Sequence, residues 1–199
     1  MGGIGIAEQK AVAQQHYTLD VQALYEIMEH RGHENTEFNH FISNSATWVS
    51  LSVPATTLAI GILHNDKVTI QKGLYFAGAL TVSSLVTYGM KYSINRQRPY
   101  HLYPGVVPVD NINSPSFPSG HTSMAFATAT SLVIAFPKWY VIIPAYTWAA
   151  TVGYSRMYLG VHYPTDVAVG AIVGAGSAWL TYIVNRWLQP KDKRLIQAF

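Results

Sequence analysis

The sequence predicts an all-α fold: a helical bundle with about five membrane-spanning helices and an N-terminal amphipathic helix. Charged residues make up only 12% of the 199 residues, while hydrophobic residues make up 49%. This charged fraction is about half that of an ordinary soluble domain, and it argues against a freely solvated surface. Five long stretches carry no charge, and each is close to the roughly 20 residues that a helix needs to cross a membrane.

The five uncharged stretches contain many Ser, Thr, Gly and Ala residues. They span residues 46–63, 73–90, 122–137, 139–155 and 167–185. Small residues are typical of helices that pack closely in a membrane, but they also suit the buried helices of a soluble bundle, so that alternative stays open. The predicted organisation is an N-terminal segment (1–45), a helical bundle (46–185) and a basic tail (186–199).

The N-terminal segment contains no membrane span, but it contains one amphipathic pattern. Thr18 or Asp20 can cap a helix that runs to about Arg31. Its apolar residues recur at i, i+3, i+4 and i+7, the spacing of one helix face: Val21, Leu24, Tyr25 and Met28. We expect this helix to be a lid or to lie at a membrane interface.

Basic residues predict the orientation. If the stretches alternate through a bilayer, one face carries seven Lys or Arg against two acids, and the other carries six against eight. The positive-inside bias makes the first face cytoplasmic and the second outward, in an inner or plasma membrane. This places the N-terminus outside, yet residues 1–10 lack the features of a signal peptide, so we expect a signal or first helix to have been removed. If the helices belong to a soluble domain, a periplasmic location is expected instead.

The composition excludes several function classes. A net charge of +3 is too small for a nucleic-acid-binding surface, and the absence of cysteine excludes disulfides, Cys-ligated zinc and thiol nucleophiles. His30, His33 and His40 lie near two glutamates, but Gly32 interrupts the helix and no His-Glu-x-x-His motif is present. We therefore predict no metal site and no cofactor. A serine nucleophile is disfavoured because there is no Gly-x-Ser-x-Gly motif.

Three polar clusters lie at the outward ends of the uncharged stretches. In the first, Lys91 and Arg98 are about two helical turns apart, so they point the same way if the helix continues to Arg98. Pro99 disfavours helical geometry at Arg98 and is expected to end the helix there. Two such cations suit a phosphoryl group, although a basic cluster flanking a membrane is the alternative.

The second cluster opens the third stretch. Ser119 is a natural N-cap, and Gly120 lets a ligand approach the backbone, so the free N–H groups and the helix dipole can hold an anion. His121 follows directly and can give a proton to a leaving oxygen. The alternative is a simple helix cap with an incidental histidine.

The third cluster joins the fourth and fifth stretches. Pro164 fits the first position of a helix, which places Asp166 in the first turn and His162 just before it. A carboxylate near imidazole Nδ1 fixes the tautomer and leaves Nε2 free as a nucleophile or base. Arg156 supplies a third cation for a phosphate.

Together the clusters resemble the three-part signature of the type 2 phosphatidic acid phosphatase (PAP2) superfamily: Lys-x6-Arg-Pro, Pro-Ser-Gly-His and Ser-Arg-x5-His-x3-Asp. The matching residues are Lys91, Arg98, Pro99, Pro118, Ser119, Gly120, His121, Ser155, Arg156, His162 and Asp166. The resemblance covers about residues 46–185. It implies an all-α bundle of the PAP2 or acid phosphatase type.

The resemblance also implies a metal-independent phosphatase that works through a phosphohistidine. His162 would attack phosphorus while Asp166 holds its tautomer, and His121 would protonate the leaving group and then activate water. The phosphate oxygens would be bound by Lys91, Arg98, Arg156, Ser119 and the backbone N–H of Gly120.

The resemblance leaves the substrate open. The apolar stretches favour the membrane branch of the family, whose substrates include undecaprenyl diphosphate, phosphatidylglycerol phosphate, phosphatidic acid and lipid A phosphates. The alternatives are a soluble secreted acid phosphatase and a catalytically silent phospholipid-binding membrane protein. Membrane members usually have six spans, whereas five are counted here. Four residues of the loop 99–117 are candidates for the entrance, with an ordinary surface loop as the alternative: Tyr100, His101, Tyr103 and Asp110.

Overall fold

The computed structural model describes residues 18–188, and all regular secondary structure in this range is helical. The helices are α1 (Leu19–Glu29), α2 (His33–Leu63), α3 (Lys67–Ile94), α4 (Pro99–Leu102), α5 (Gly120–Ala135), α6 (Trp139–Tyr158) and α7 (Pro164–Leu188). The five long helices α2, α3, α5, α6 and α7 pack as a bundle, and α4 is a single turn. The predicted all-α fold is confirmed.

The helix bounds differ from the predicted stretches in two places. α2 begins at His33, directly after Gly32, so the predicted division at residue 45 falls inside a continuous helix. The predicted stretches were defined by the absence of charge. The first turns of α2 contain charged residues, so the prediction placed the start of this stretch too late. α3 ends at Ile94, where Asn95 takes a left-handed conformation with φ of 49°. The helix therefore ends before Arg98, where Pro99 was expected to end it, and the condition for Lys91 and Arg98 to share a helix face is not met.

The bundle buries many hydroxyl side chains beside its apolar core clusters, and its outside is apolar. Hydroxyl side chains are buried between the helices: Ser43, Ser50, Ser83, Thr87, Ser123, Thr128, Ser131 and Ser177. Some bond across helices, as Ser83 Oγ does to Ser123 Oγ at 2.6 Å. Large apolar side chains point outward instead, and Trp48 and Ile172 are 75% and 70% exposed. An apolar exterior over a core of small residues is the arrangement of a bundle that faces lipid.

Within residues 18–188, two helices are by themselves long and apolar enough to cross a membrane, α2 and α7. In the most apolar 18-residue segment of each helix, only 22% of the residues of α2 and 28% of those of α7 are buried in the bundle, so most of these segments face outward. α5 has 16 residues, just below the roughly 17 residues of a short span. The count of five spans stays a prediction.

The helices α5 and α7 approach each other closely, and this approach depends on two glycines of α7. A Cβ atom at Gly170 would lie 2.7 Å from the carbonyl oxygen of Ser119. A Cβ atom at Gly174 would collide with the carbonyl oxygen of Ser123 and lie 2.8 Å from the amide of Ala127. This pair of glycines four residues apart lets the backbones of α5 and α7 meet, which brings the first turns of both helices together.

α1 lies across the end of the bundle where α5 and α7 begin. Val21 and Leu24 are buried against Val106 and Tyr163, which confirms the amphipathic helix and its apolar face. The helix ends at Glu29, and Arg31 then donates hydrogen bonds to the backbone carbonyls of residues 158 and 107, both at 2.6 Å. α1 is therefore fixed to the loops at this end.

The close approach of α5 and α7 predicts opposite effects at two glycines of α7. Gly174→Ala should lower the free energy of unfolding by about 1–3 kcal/mol, because the added methyl group meets backbone atoms that cannot move away. Gly176→Ala is the matched control. Nothing lies within 4 Å of its Cβ position, and alanine favours helix, so stability should be unchanged or slightly higher. Thermal unfolding in detergent measures both, and equal stability of the two variants would contradict this packing.

Candidate active site

A cavity of about 450 Å³ lies among α2, α3, α5 and α6, at the end of the bundle covered by α1. Six of the eight predicted site residues line it: Lys91, Arg98, Gly120, His121, Arg156 and His162. The lining contains three cationic side chains and no carboxylate among the described residues. The three sequence clusters thus converge on one cavity, which we call the central cavity.

Arg98 connects two of the clusters. Its Nε donates to the carbonyl oxygen of Ser114 at 2.8 Å, and its Nη1 donates to the carbonyl oxygen of Val161 at 2.8 Å. The side chain is 3% exposed, and burial lowers the pKa of its guanidinium from the usual value, although a guanidinium stays charged at any physiological pH. Arg98 therefore needs no helix to point at the cavity, because the loops on both sides hold it.

Arg156 has free hydrogen-bonding capacity inside the bundle. Its Nη1 donates to Ser43 Oγ, which anchors the side chain to α2. Among the described residues, no group accepts a hydrogen bond from its Nε or Nη2, although both atoms are buried. An unpaired buried guanidinium face is costly, so it is expected to be satisfied by an anion in the central cavity.

Lys91 stands on the opposite wall, in the last turn of α3. Its ammonium donates to the carbonyl oxygen of Pro115 at 2.6 Å and, in a longer bond, to the carbonyl oxygen of Ser116 at 3.5 Å. These bonds use two of its three protons and leave one for a ligand. Lys91 thus joins the end of α3 to the loop that precedes α5.

The contacts of His162 define its tautomer. Arg98 Nη1 lies 3.3 Å from His162 Nε2, and Asp166 Oδ2 lies 3.4 Å from His162 Nδ1. A guanidinium can only donate, so Nε2 must carry the lone pair, and the proton sits on Nδ1 facing the carboxylate. Burial lowers the pKa of His162, with Asp166 opposing this shift, so the neutral imidazole is favoured. The side chain therefore carries its lone pair on Nε2, where Arg98 Nη1 donates to it.

Asp166 is fully buried and does not line the cavity itself. Its Oδ2 accepts from the Ser116 hydroxyl and from the backbone N–H of Tyr163, and its Oδ1 accepts from Arg96 Nη1 at 2.7 Å. Ser116 and Arg96 were not singled out from the sequence. Both stand at positions that the three-part signature leaves unspecified, so only the fold identifies them.

The first turn of α5 brings Gly120 and His121 to the cavity, as predicted. Ser119 is the N-cap residue, but it is fully buried and does not line the cavity. Its hydroxyl accepts from Thr122 Oγ1 at 2.9 Å, and its N–H donates to the carbonyl oxygen of Asp166 at 2.9 Å. Its predicted phosphate contact stays a prediction.

The loop residues expected at the entrance lie elsewhere. Tyr100 and Tyr103 pack against the α1 cluster, and Asp110 pairs with His40 at 3.3 Å. This pair lines a larger cavity of about 790 Å³, which none of the eight predicted catalytic and phosphate-binding residues lines. From the same loop, Ile112 and Ser114 line the central cavity instead.

No group of three or more His, Cys, Asp or Glu side chains that could hold a metal ion is found in residues 18–188. What the central cavity offers is a neutral imidazole with its lone pair on the Nε2 atom, a second imidazole, and three cations. This set can bind a phosphoryl group, attack it and move a proton.

The sequence was compared with known families and proteins. The family model described as PAP2 superfamily matches residues 72–190. The lipid A 4'-phosphatase of Bacteroides thetaiotaomicron is 43% identical over 68 residues, which cover 34% of this chain and 30% of that protein. The undecaprenyl-diphosphatase of Sulfolobus acidocaldarius is 29% identical over 132 residues, which cover 66% of this chain and 60% of that protein. The match spans less than two thirds of either relative.

The fold was compared with solved structures. A transmembrane PAP2-type phosphatidylglycerolphosphate phosphatase from Bacillus subtilis superposes with a TM-score of 0.73 and 25% sequence identity. The match covers 91% of this chain and 94% of that one. The bundle of this chain is therefore similar to that of a membrane phosphatase over almost its whole length.

Proposed function

Because this chain belongs to the PAP2 superfamily, we propose that it is a membrane phosphatase that hydrolyses a lipid phosphate or isoprenyl diphosphate through a phosphohistidine on His162. The observation that carries this proposal is the central cavity, where Lys91, Arg98 and Arg156 meet two histidines. Three buried cations without a carboxylate in the lining form an electrostatic site for a multiply charged anion.

In the first step, the Nε2 lone pair of His162 attacks phosphorus, and the bond from phosphorus to the leaving oxygen breaks. His121 gives its proton to that oxygen. The Nδ1 proton of His162 stays on the imidazole, where Asp166 stabilises the positive charge that develops. The three cations hold the equatorial oxygens, and this charge stabilisation is the main contribution to phosphoryl transfer.

In the second step, the neutral His121 takes a proton from a water molecule. The water oxygen attacks phosphorus, the bond between phosphorus and Nε2 breaks, and phosphate leaves. His162 returns to its starting tautomer and His121 is again protonated. Because Lys91, Arg98 and Arg156 supply the positive charge, this scheme requires no metal ion.

A lipid substrate is supported by the wall of the cavity along α3. The lining continues from Lys91 to Tyr88 and Tyr92, whose rings stack at 6.4 Å and are 58% and 67% exposed. The cavity thus leads from the cations to the apolar outside of the bundle. A phosphate bound at the cations could keep its hydrocarbon chain in the membrane.

The substrate class is tested by phosphate release from detergent-purified protein with EDTA present. Farnesyl or undecaprenyl diphosphate should be hydrolysed in preference to p-nitrophenyl phosphate, and His162→Ala should reduce turnover by about 1000-fold or more because the nucleophile is lost.

The other outcomes of that assay are informative. A preference for the soluble ester would support a non-specific acid phosphatase. No turnover by folded protein on either substrate would contradict the proposal and support a silent phospholipid-binding protein.

We also propose that the central cavity faces outward or to the periplasm. The helix directions place the opposite end of the bundle at the α2–α3 turn and the α5–α6 turn, where Lys67 and Lys138 lie. By the positive-inside bias, this opposite end is cytoplasmic.

The orientation can be tested with single cysteines, because the chain contains none of its own. Glu29→Cys, on the exposed side of α1, should react with a membrane-impermeant maleimide in intact spheroplasts. Lys138→Cys, exposed at the other end, should react only after the membrane is opened. The reverse pattern would contradict the orientation.

A further inference from the structure

The catalytic geometry proposed above depends on how the Asp166 carboxylate is turned. Its Oδ2 faces His162 Nδ1 and accepts from Ser116 and from the Tyr163 N–H, while its Oδ1 accepts from Arg96 Nη1 at 2.7 Å. A carboxylate whose two oxygens are both held cannot rotate about its Cβ–Cγ bond. Arg96 is the only described group that holds the Oδ1 side by a side-chain hydrogen bond.

Arg96 is itself held on three sides. Its Nη2 donates to Asp20 Oδ2 at 2.7 Å, and its Nη1 also donates to Thr165 Oγ1 at 2.7 Å. Its guanidinium carbon lies 3.8 Å from the centre of the Tyr163 ring, within the range of a cation–π interaction. The planar guanidinium therefore bridges two carboxylates in one fixed orientation.

Asp20 belongs to α1, a helix that no signature motif includes. Besides Arg96, it accepts from the Thr165 backbone N–H at 2.9 Å and from the Thr165 hydroxyl at 2.6 Å. The N–H of Thr165 lies in the first turn of α7 and has no acceptor within that helix, so Asp20 on α1 supplies the acceptor. The apolar face of α1 is buried at Val21 and Leu24, so Asp20 is carried on a fixed element.

Arg96 does not line the central cavity, so it is not placed to touch a bound phosphate. The side chain of Arg96 is 30% exposed, and its two carboxylate partners are more buried, with Asp20 12% and Asp166 0% exposed. The two carboxylates and the guanidinium of Arg96 together carry a charge of −1, on the Nδ1 side of His162.

We propose that Arg96, held by Asp20, is a positioning residue that fixes Asp166 against His162, so that α1 is part of the catalytic apparatus. This inference rests on the proposed function. Without Arg96, the carboxylate could turn away and the Nδ1–H tautomer of His162 would be less favoured. The phosphate-binding cations would be unchanged, so the rate should fall while substrate affinity is kept.

The test is steady-state kinetics with 2,4-dinitrophenyl phosphate, whose good leaving group keeps slow variants measurable. Arg96→Gln should lower kcat by about 10- to 100-fold, as expected for a displaced catalytic group, with KM changed by less than about 2-fold. Arg96→Lys should recover part of the loss, because it keeps the charge and one donor. Asp20→Asn should lower kcat by a smaller factor, since its remaining oxygen can still accept from Thr165.

A double-mutant cycle separates positioning from general damage. If Arg96 acts through Asp166, Arg96→Gln should lower kcat by less than about 2-fold when added to Asp166→Asn. A full, additive loss in that background would overturn the inference. If Arg96→Gln does not fold, the Asp20→Asn variant tests the inference in its place. An unchanged kcat in Asp20→Asn would then overturn the inference.

Arg186→Gln is the matched control. Arg186 also lies beside a tyrosine ring, at 5.8 Å from the centre of Tyr182, but in the last turn of α7 at the far end of the bundle. The kcat of the Arg186→Gln variant should equal that of the wild type. Wild-type turnover that is lost in His162→Ala but unchanged in Arg96→Gln would overturn this inference alone. Absence of wild-type turnover on both this ester and farnesyl diphosphate would overturn it together with the proposed function.

Discussion

The buried carboxylate of Asp166 is the group on which the rest of the site depends. Placing an ionised carboxylate where it is 0% exposed costs several kcal/mol unless donors surround it. The fold supplies them from three places: Arg96 after α3, Ser116 before α5, and the backbone at the start of α7. The backbone carbonyl of Asp166 also accepts from the Ser119 N–H, which ties the start of α5 to it. Segments far apart in sequence are thus fixed around one residue.

The bundle makes this arrangement possible because small and hydroxyl-bearing residues let its helices pack closely. Gly170 and Gly174 let α5 and α7 touch, and hydroxyl groups between helices satisfy one another where large apolar residues would keep the helices apart. The apolar side chains are on the outside, where lipid can cover them. In such an interior, charges are poorly screened, so the proposed binding of an anion by Lys91, Arg98 and Arg156 would be stronger than the same contacts in water.

The sequence predicted the helices and most of the site, but not the contacts between the clusters. Charge-free stretches identify the helices because the lipid-facing surface tolerates little charge, yet they missed the polar start of α2 at His33. The sequence allowed Arg98 to share a helix face with Lys91 only if the helix continued to Arg98. The helix α3 stops at Ile94, and Arg98 reaches the cavity through loop contacts instead. The roles of Arg96 and Asp20 could not be predicted, because their partners are distant in sequence and only the folded chain brings them together.

The central claim is that His162 carries the phosphoryl group, and trapping that intermediate tests it most directly. His121→Ala should still be phosphorylated by ³²P-labelled 2,4-dinitrophenyl phosphate, because this leaving group needs no proton, but it should hydrolyse the intermediate slowly. We expect about one label per chain, stable in alkali and lost in acid, as a phosphorus–nitrogen bond requires, and absent when His162 is also changed to Ala. Label that persists in the double variant, or turnover without any label, would contradict the account.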